Sequence, residues 1–329
     1  MSTKPILERV KSVLWNQTDC RPRALVRILL AIVLLVFTVV LVNIALTFLM
    51  QLTQIPIVLF AVIIVGQMTP IPVVLLAGYH IDRRVLADLG LGINRDWWVD
   101  LVFGSILGAA LMSGVFVVTL VMGWIRIEGT FVVEGLGVGF AGGMMVMLVF
   151  WLVSGVSEEL VLRGYLLTNI AEGLTGYASE RLAVGIAVAV SSSLFGLIHA
   201  ANPNASAFSI LGIGVAGVLL AAGYLLTDEL AIPIGLHITW NFFQGTIYGF
   251  GVSGFDFGVT LIEITETGPD VVTGGAFGPE AGLLGIAAGV VGIVMIVGYA
   301  GWRYDTTGLV GGVARPELRL RRRVDDQSE

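Results

Sequence analysis

Long apolar runs separated by short polar segments account for most of the chain. A helix needs about 20 apolar residues to cross a hydrocarbon core of about 30 Å. Eight stretches meet or approach that length, at 28–50, 55–78, 99–124, 135–156, 182–199, 207–226, 231–250 and 281–301. The pattern predicts an all-α, polytopic transmembrane helical bundle of about eight spans. Pro70 and Pro72 fall inside the second run, and a proline has no amide hydrogen to give to the helix, so a kink is expected there. Three regions follow: an N-terminal segment at 1–27, a membrane-embedded domain at 28–302 and a basic and acidic tail at 303–329.

The polar segments set an orientation. Lys4, Arg9, Lys11, Arg21, Arg23 and Arg27 precede the first run, and Arg83, Arg84 and Arg95 follow the second. Arg163 and Arg181 lie between the fourth and fifth runs; Arg303, Arg315, Arg319 and Arg321 to Arg323 follow the eighth. With eight spans all of these fall on one side, and Arg126 alone of the 18 basic residues falls on the other. The positive-inside rule then places both termini in the cytoplasm. The last external loop, 251–280, carries acids and no base, and no chemistry is assigned to it. The run 319–323 reads as a solvated, orientation-fixing tail, with anionic headgroups as the alternative contact.

Composition agrees with a membrane solvent. The chain is 56% hydrophobic and 13% charged, against roughly 25% charged in soluble domains. The 43 glycines suit closely packed spans, and GxxxG spacings at Gly245…Gly249 and Gly285…Gly289 are read as ordinary packing. One cysteine, Cys20, excludes disulfide frameworks and cysteine-ligated zinc. The polar stretch at 1–27 leads into a full-length apolar run and does not read as a cleavable signal. The expected partner is the lipid bilayer of the cell membrane, in a multi-pass integral protein; nucleic acid is not a partner, and nothing sets the oligomeric state.

Charge inside an apolar run costs at least a few kcal/mol, so ionisable residues there are functional candidates. In SGVSEELVLRGYL, residues 154–166, Glu159 and Arg163 are four apart and share a helix face, which allows an ion pair. The adjacent Glu158 points elsewhere and has no obvious local partner, so it is free to act as a base. Its bland alternative is a solvated charge at the end of the fourth span. His199 ends an apolar run with Phe195 one turn before it, and His237 and Asn241 share one face of the seventh span. A lone buried histidine usually serves structure, and His80 reads as a surface residue. Two histidines at membrane depth beside a carboxylate would nonetheless supply a base, an imidazole to share the attacking water and donors for an oxyanion. The same His199, His237 and Glu158 would equally make a zinc site, although the usual H-E-x-x-H signature is absent.

These residues occur in an order that resembles the CPBP intramembrane proteases, which include type II CAAX prenyl endopeptidases and Abi-type proteins. Glu158-Glu159…Arg163 is similar to that family's EExxxR motif, Phe195…His199 to its FxxxH motif, and His237…Asn241 to its third motif. The resemblance covers about 80–250. It implies a helical bundle of about eight spans around a cavity entered from the cytoplasm, and a membrane-associated or lipidated peptide as substrate, including prenylated CAAX tails in one branch. Carried over, Glu158 looks like the general base acting with His199, His237 and Asn241 like oxyanion stabilisers, and Glu159 and Arg163 like a supporting pair. The favoured reading requires no cofactor, with zinc as the alternative.

One conflict yields a structural expectation. If the fourth span ended near Glu158, that residue would lie at the cytoplasmic end while His199 lay at the external end. Continuing the fourth helix to about Gly173 puts Glu158 about 22 Å from its inner end and His199 about 27 Å up, at 1.5 Å per residue. A helix running past Arg163 is therefore expected. The competing functions are a catalytically silent scaffold or immunity protein of the same fold, and a proton-coupled transporter, against which no inverted repeat is visible.

Overall fold

The computed structural model describes residues 13–53, 55–305, 308, 311–315 and 317–320. Lys4, Arg9, Lys11 and residues 321–329, used above for orientation and for the tail, lie outside the described residues.

Every predicted run is helical. We label the helices α1 (Ala24–Gln51), α2 (Pro56–His80), α3 (Arg95–Val121), α4 (Phe140–Leu174), α5 (Glu180–Ile198) and α6 (Ala207–Thr227). They are followed by α7 (Ala231–Asn241, extended by Phe242–Ile247) and α8 (Leu283–Tyr304). The interruption expected from Pro70 and Pro72 falls at Thr69. Among the described residues seven helices are long and apolar enough to cross a bilayer. The exception is α7, whose 11 residues and six-residue π-helical extension reach only about 25 Å. Ala231 through His237 are all buried. A helix enclosed by protein has no lipid to match, so it needs no full spanning length. The eighth predicted span is thus a short helix packed against α3, α4 and α6.

Glycines on α3 and α7 let the two backbones touch. A Cβ on Gly104 would lie 2.3 Å from the Ile232 carbonyl oxygen, one on Gly108 2.4 Å from that of Leu236, and one on Gly235 2.3 Å from that of Leu101. This close approach rests on Gly104…Gly108, whereas Gly249 sits in a turn at φ +64°. Gly108→Val is expected to force α3 and α7 apart, costing about 1–3 kcal/mol by overpacking. A lower melting temperature of the detergent-solubilised variant checks this.

Two antiparallel ribbons accompany the helices. A short one pairs β1 (Trp15–Asn16) with β2 (Arg21–Pro22). A longer one pairs β3 (Ile125–Val133) with β4 (Val259–Glu266) at the end of the bundle opposite the termini. The segment 251–280, expected to be a plain loop, therefore contributes a strand.

At the terminus end, Arg21, Arg27 and Arg84 converge on Glu172 at 2.6, 2.9 and 2.7 Å. Arg27 also pairs with Asp82 at 2.9 Å, and the Tyr165 hydroxyl donates to Asp82 at 2.7 Å. Burial pushes the Asp82 carboxyl up, with Arg84 and Arg27 opposing. These three arginines are buried and tie α1 and the 81–94 segment to the inner end of α4, so they are not the loop charges that the orientation count assumed. Arg319 is also engaged, pairing with Asp88 at 2.9 Å, so this part of the tail docks on the 81–94 segment instead of standing free in solvent.

Candidate active site

The long fourth helix is present. α4 passes Arg163 and ends at Leu174, with Leu160–Leu167 wound as a π-helix. Arg163 is fully buried within the bundle and is not a loop charge between the fourth and fifth spans. Glu158 lies 14 residues above Glu172, about 21 Å along the helix, and His199 caps the far end of α5. Their depths therefore agree. Glu158, His199, His237 and Asn241 line one cavity of about 680 Å³. Two of the three motif-bearing helices turn π-helical at their motif, α4 from Leu160, directly after Glu159, and α7 from Phe242, directly after Asn241. Such turns insert an extra residue per turn and recur at functional sites.

Glu159 is the structural carboxylate of the pair. Its Oε1 accepts from Arg163 Nη1 at 2.9 Å and from His237 Nδ1 at 2.8 Å. Arg163 also donates to the Gly217 carbonyl at 3.1 Å and lies 4.6 Å from the Phe195 ring centroid. One ion pair thus joins α4 to α6 and fixes the His237 ring on α7. Glu158 faces the cavity with 21% of its side chain exposed, and its Oε2 lies 3.9 Å from His237 Nε2. The expectation that Glu158 has no local partner is corrected: Ser154, one turn earlier, donates to its Oε1 at 2.8 Å. The spacing of four residues between Ser154 and Glu158 could have revealed this.

His199 Nδ1 lies 2.7 Å from the Phe195 carbonyl oxygen. A carbonyl only accepts, so Nδ1 carries the proton and Nε2 of the neutral ring holds a lone pair. Phe195 also packs edge-on to both imidazoles, with centroids 5.1 Å from His199 and 5.8 Å from His237. Asn241 is half-buried on the cavity wall. His80 is exposed.

Sequence reasoning missed Glu280. It lines the same cavity, accepts from the Ser253 amide at 2.5 Å and bonds Gln244 of the α7 extension. Burial pushes its carboxyl up to about 7. The segment 251–280 therefore forms part of the cavity wall. No local pattern reports this, because Gln244 is 36 residues away.

A zinc ion would need three or four donors at about 2.0–2.2 Å. Among the described residues no group of three His, Cys, Asp or Glu side chains converges to hold a metal. The Nδ1 atoms of both histidines are engaged by the Phe195 carbonyl and Glu159, which leaves each Nε2 available, as in metal-ligating histidines. No step below passes through zinc.

The loops at the end opposite the two termini add Asn202, Ser253, Phe255 and Glu280 to the cavity lining.

Residues 140–243 match the family model described as type II CAAX prenyl endopeptidase Rce1-like. The matched segment lies within the 80–250 range of the resemblance and contains all three motifs. No curated protein and no solved structure matches the chain.

Proposed function

We propose that this chain, a multi-pass membrane protein of the CPBP family by its Rce1-like segment, is an intramembrane endopeptidase of the cell membrane in which Glu158 activates water. The carrying observation is the division of labour between adjacent carboxylates. Glu159 is buried and committed to Arg163 and His237, whereas Glu158 lies near His237 and lines the cavity that both histidines also line. Glu158 takes one proton from a water whose other hydrogen is held by the His199 Nε2 lone pair. The resulting hydroxide attacks the scissile carbonyl. The Asn241 amide and His237 Nε2–H donate to the tetrahedral oxyanion. Glu158 then delivers its proton to the leaving amine, which restores the carboxylate.

The His237 role requires a proton on Nε2 while Nδ1–H is given to Glu159. A carboxylate facing each ring nitrogen supports that doubly protonated ring. The apolar majority of the cavity lining suits a membrane-associated peptide. His199→Ala is expected to lower turnover roughly 10²-fold, at the low end for lost acid–base assistance, with unchanged melting temperature. The measurement uses purified protein in liposomes with membrane peptides and prenylated tails. Unchanged turnover would remove His199 from the mechanism. Metal analysis of the same sample is expected to find no stoichiometric zinc; bound zinc whose removal abolishes turnover would replace this mechanism with a metal-dependent one.

A further inference from the structure

We propose that Glu280 is a positioning residue for this site: its one carboxylate holds the turn that carries His199 and the helix that carries His237 and Asn241 at a fixed separation. The proposal rests on the endopeptidase reading for the reaction that Glu280 serves; the contacts themselves do not.

Two hydrogen-bonded branches leave Glu280. The first runs to His199. Glu280 Oε1 accepts from the Ser253 amide at 2.5 Å. The Ser253 carbonyl accepts from Asn202 Nδ2 at 2.9 Å, and the Asn202 amide donates to the His199 carbonyl at 3.1 Å. The second branch runs to α7. Glu280 Oε2 accepts from Gln244 Nε2, which also donates to the Gly251 carbonyl at 2.6 Å. Gln244 Oε1 accepts from Trp240 Nε1 at 2.8 Å. Trp240 stands between His237 and Asn241 in the chain and lines the same cavity.

The carboxylate is itself anchored. The backbone at Pro279 and Glu280 presses on Gly285 of α8 and Gly212 of α6, where a Cβ would run into the Pro279 and Glu280 carbonyl oxygens. Gly278, at φ +122°, leaves no room for a Cβ between the Gly251 carbonyl and Gln244 Nε2. Gln244 is fully buried, and its Oε1 and Nε2 are both engaged. Both branches therefore start from a point fixed between two spans.

The residue type favours this role over plain packing. Glu280 is buried, and both groups that bond it are uncharged, so among the described residues no cation offsets its burial. A carboxyl buried without a cation is costly, and an apolar side chain would fill the same space at lower cost. What a carboxylate supplies is two acceptor oxygens and no donor. Two N–H groups from different segments point at it, so a glutamine there would set its own NH2 against one of them. Moving a catalytic group by about 1 Å can cost about 10²-fold in rate. A strut between the two histidine-bearing segments therefore acts on rate.

The test compares the parent, Glu280→Gln and Asn202→Ala proteins in liposomes, by turnover of a membrane peptide and by amide hydrogen exchange. Glu280→Gln is expected to lower kcat by about 10- to 10²-fold with KM nearly unchanged. Exchange should quicken at 199–206 and at 237–250 together, while 158–163 keeps its protection. Asn202 is half-buried, and Asn202→Ala cuts the His199 branch alone, so the test survives a Glu280→Gln protein that does not fold. It should quicken exchange at 199–206 only and lower kcat by less. Combined, the two changes should cost less than the product of their separate effects, because they break one network. A residue that served stability alone would lower the melting temperature and leave kcat per folded molecule unchanged. An active parent whose kcat is unchanged in either folded variant, or exchange that quickens only within 251–280, would overturn the proposal. Joint quickening in a parent that cleaves nothing would remove the endopeptidase reading and leave the tie between the two segments standing.

Discussion

Arg163→Ala is expected to be the most destabilising single change in the molecule, by about 3–5 kcal/mol, the range for breaking a buried ion pair from one side. Both side chains of the Glu159–Arg163 pair are fully buried. Removing the guanidinium leaves Glu159 with His237 in place of its two-donor set, frees the Gly217 carbonyl and strips the cation from the face of Phe195. A sharply lower melting temperature in detergent and poor membrane accumulation should report this. Replacing both partners with apolar residues of similar volume, as in Arg163→Met with Glu159→Leu, is expected to recover much of the stability, because no buried charge then remains. That double variant should still be inactive, since His237 loses the carboxylate that orients it. An Arg163→Ala protein as stable as the parent would show that the pair is hydrated and not buried.

The second large effect falls on rate and not on stability. In Glu158→Gln the amide oxygen can still accept from Ser154, and the side chain faces the cavity and not the packed interior. The melting temperature should therefore hold. What disappears is the proton acceptor, and loss of acid–base assistance of this kind costs about 10²–10⁴-fold in rate, or about 3–5 kcal/mol of barrier. Glu159→Gln makes the useful contrast. One residue along, it should lower stability as well, because it discharges the partner of Arg163.

The adjacent carboxylates also show how far the amino-acid sequence alone is legible. Ionisable groups inside apolar runs stand out, so Glu158, Glu159, Arg163, His199 and His237 are visible as candidates, and Asn241 joins them by sharing a helix face with His237. The depth conflict between Glu158 and His199 has one geometric remedy, a fourth helix running past Arg163, and α4 extends to Leu174. Contacts distant in sequence are not legible. The bond between His237 and Glu159 spans 78 residues, and its bearing on which imidazole nitrogen faces the cavity has no local trace. Glu280 looks like one more acid in an external loop.

Other features are hidden by similarity to something commoner. Arg21, Arg27 and Arg84 resemble ordinary boundary charges until Glu172 is seen between them. The Gly104…Gly108 seam is lost among the many glycines of the chain. Strands β3 and β4 run for only nine and eight residues, too short to register against spans of about 20. The short helix α7 reads as a full span because its apolar run gives no indication that protein, and not lipid, surrounds it.

The central claim is that one cavity-facing carboxylate, Glu158, takes the proton from the attacking water. The most direct test is to compare purified parent and Glu158→Gln proteins in liposomes, at matched thermal stability, for turnover of a membrane peptide that the parent cleaves. The account predicts a loss of about 10²–10⁴-fold in the variant. Equal turnover by the two proteins would contradict it.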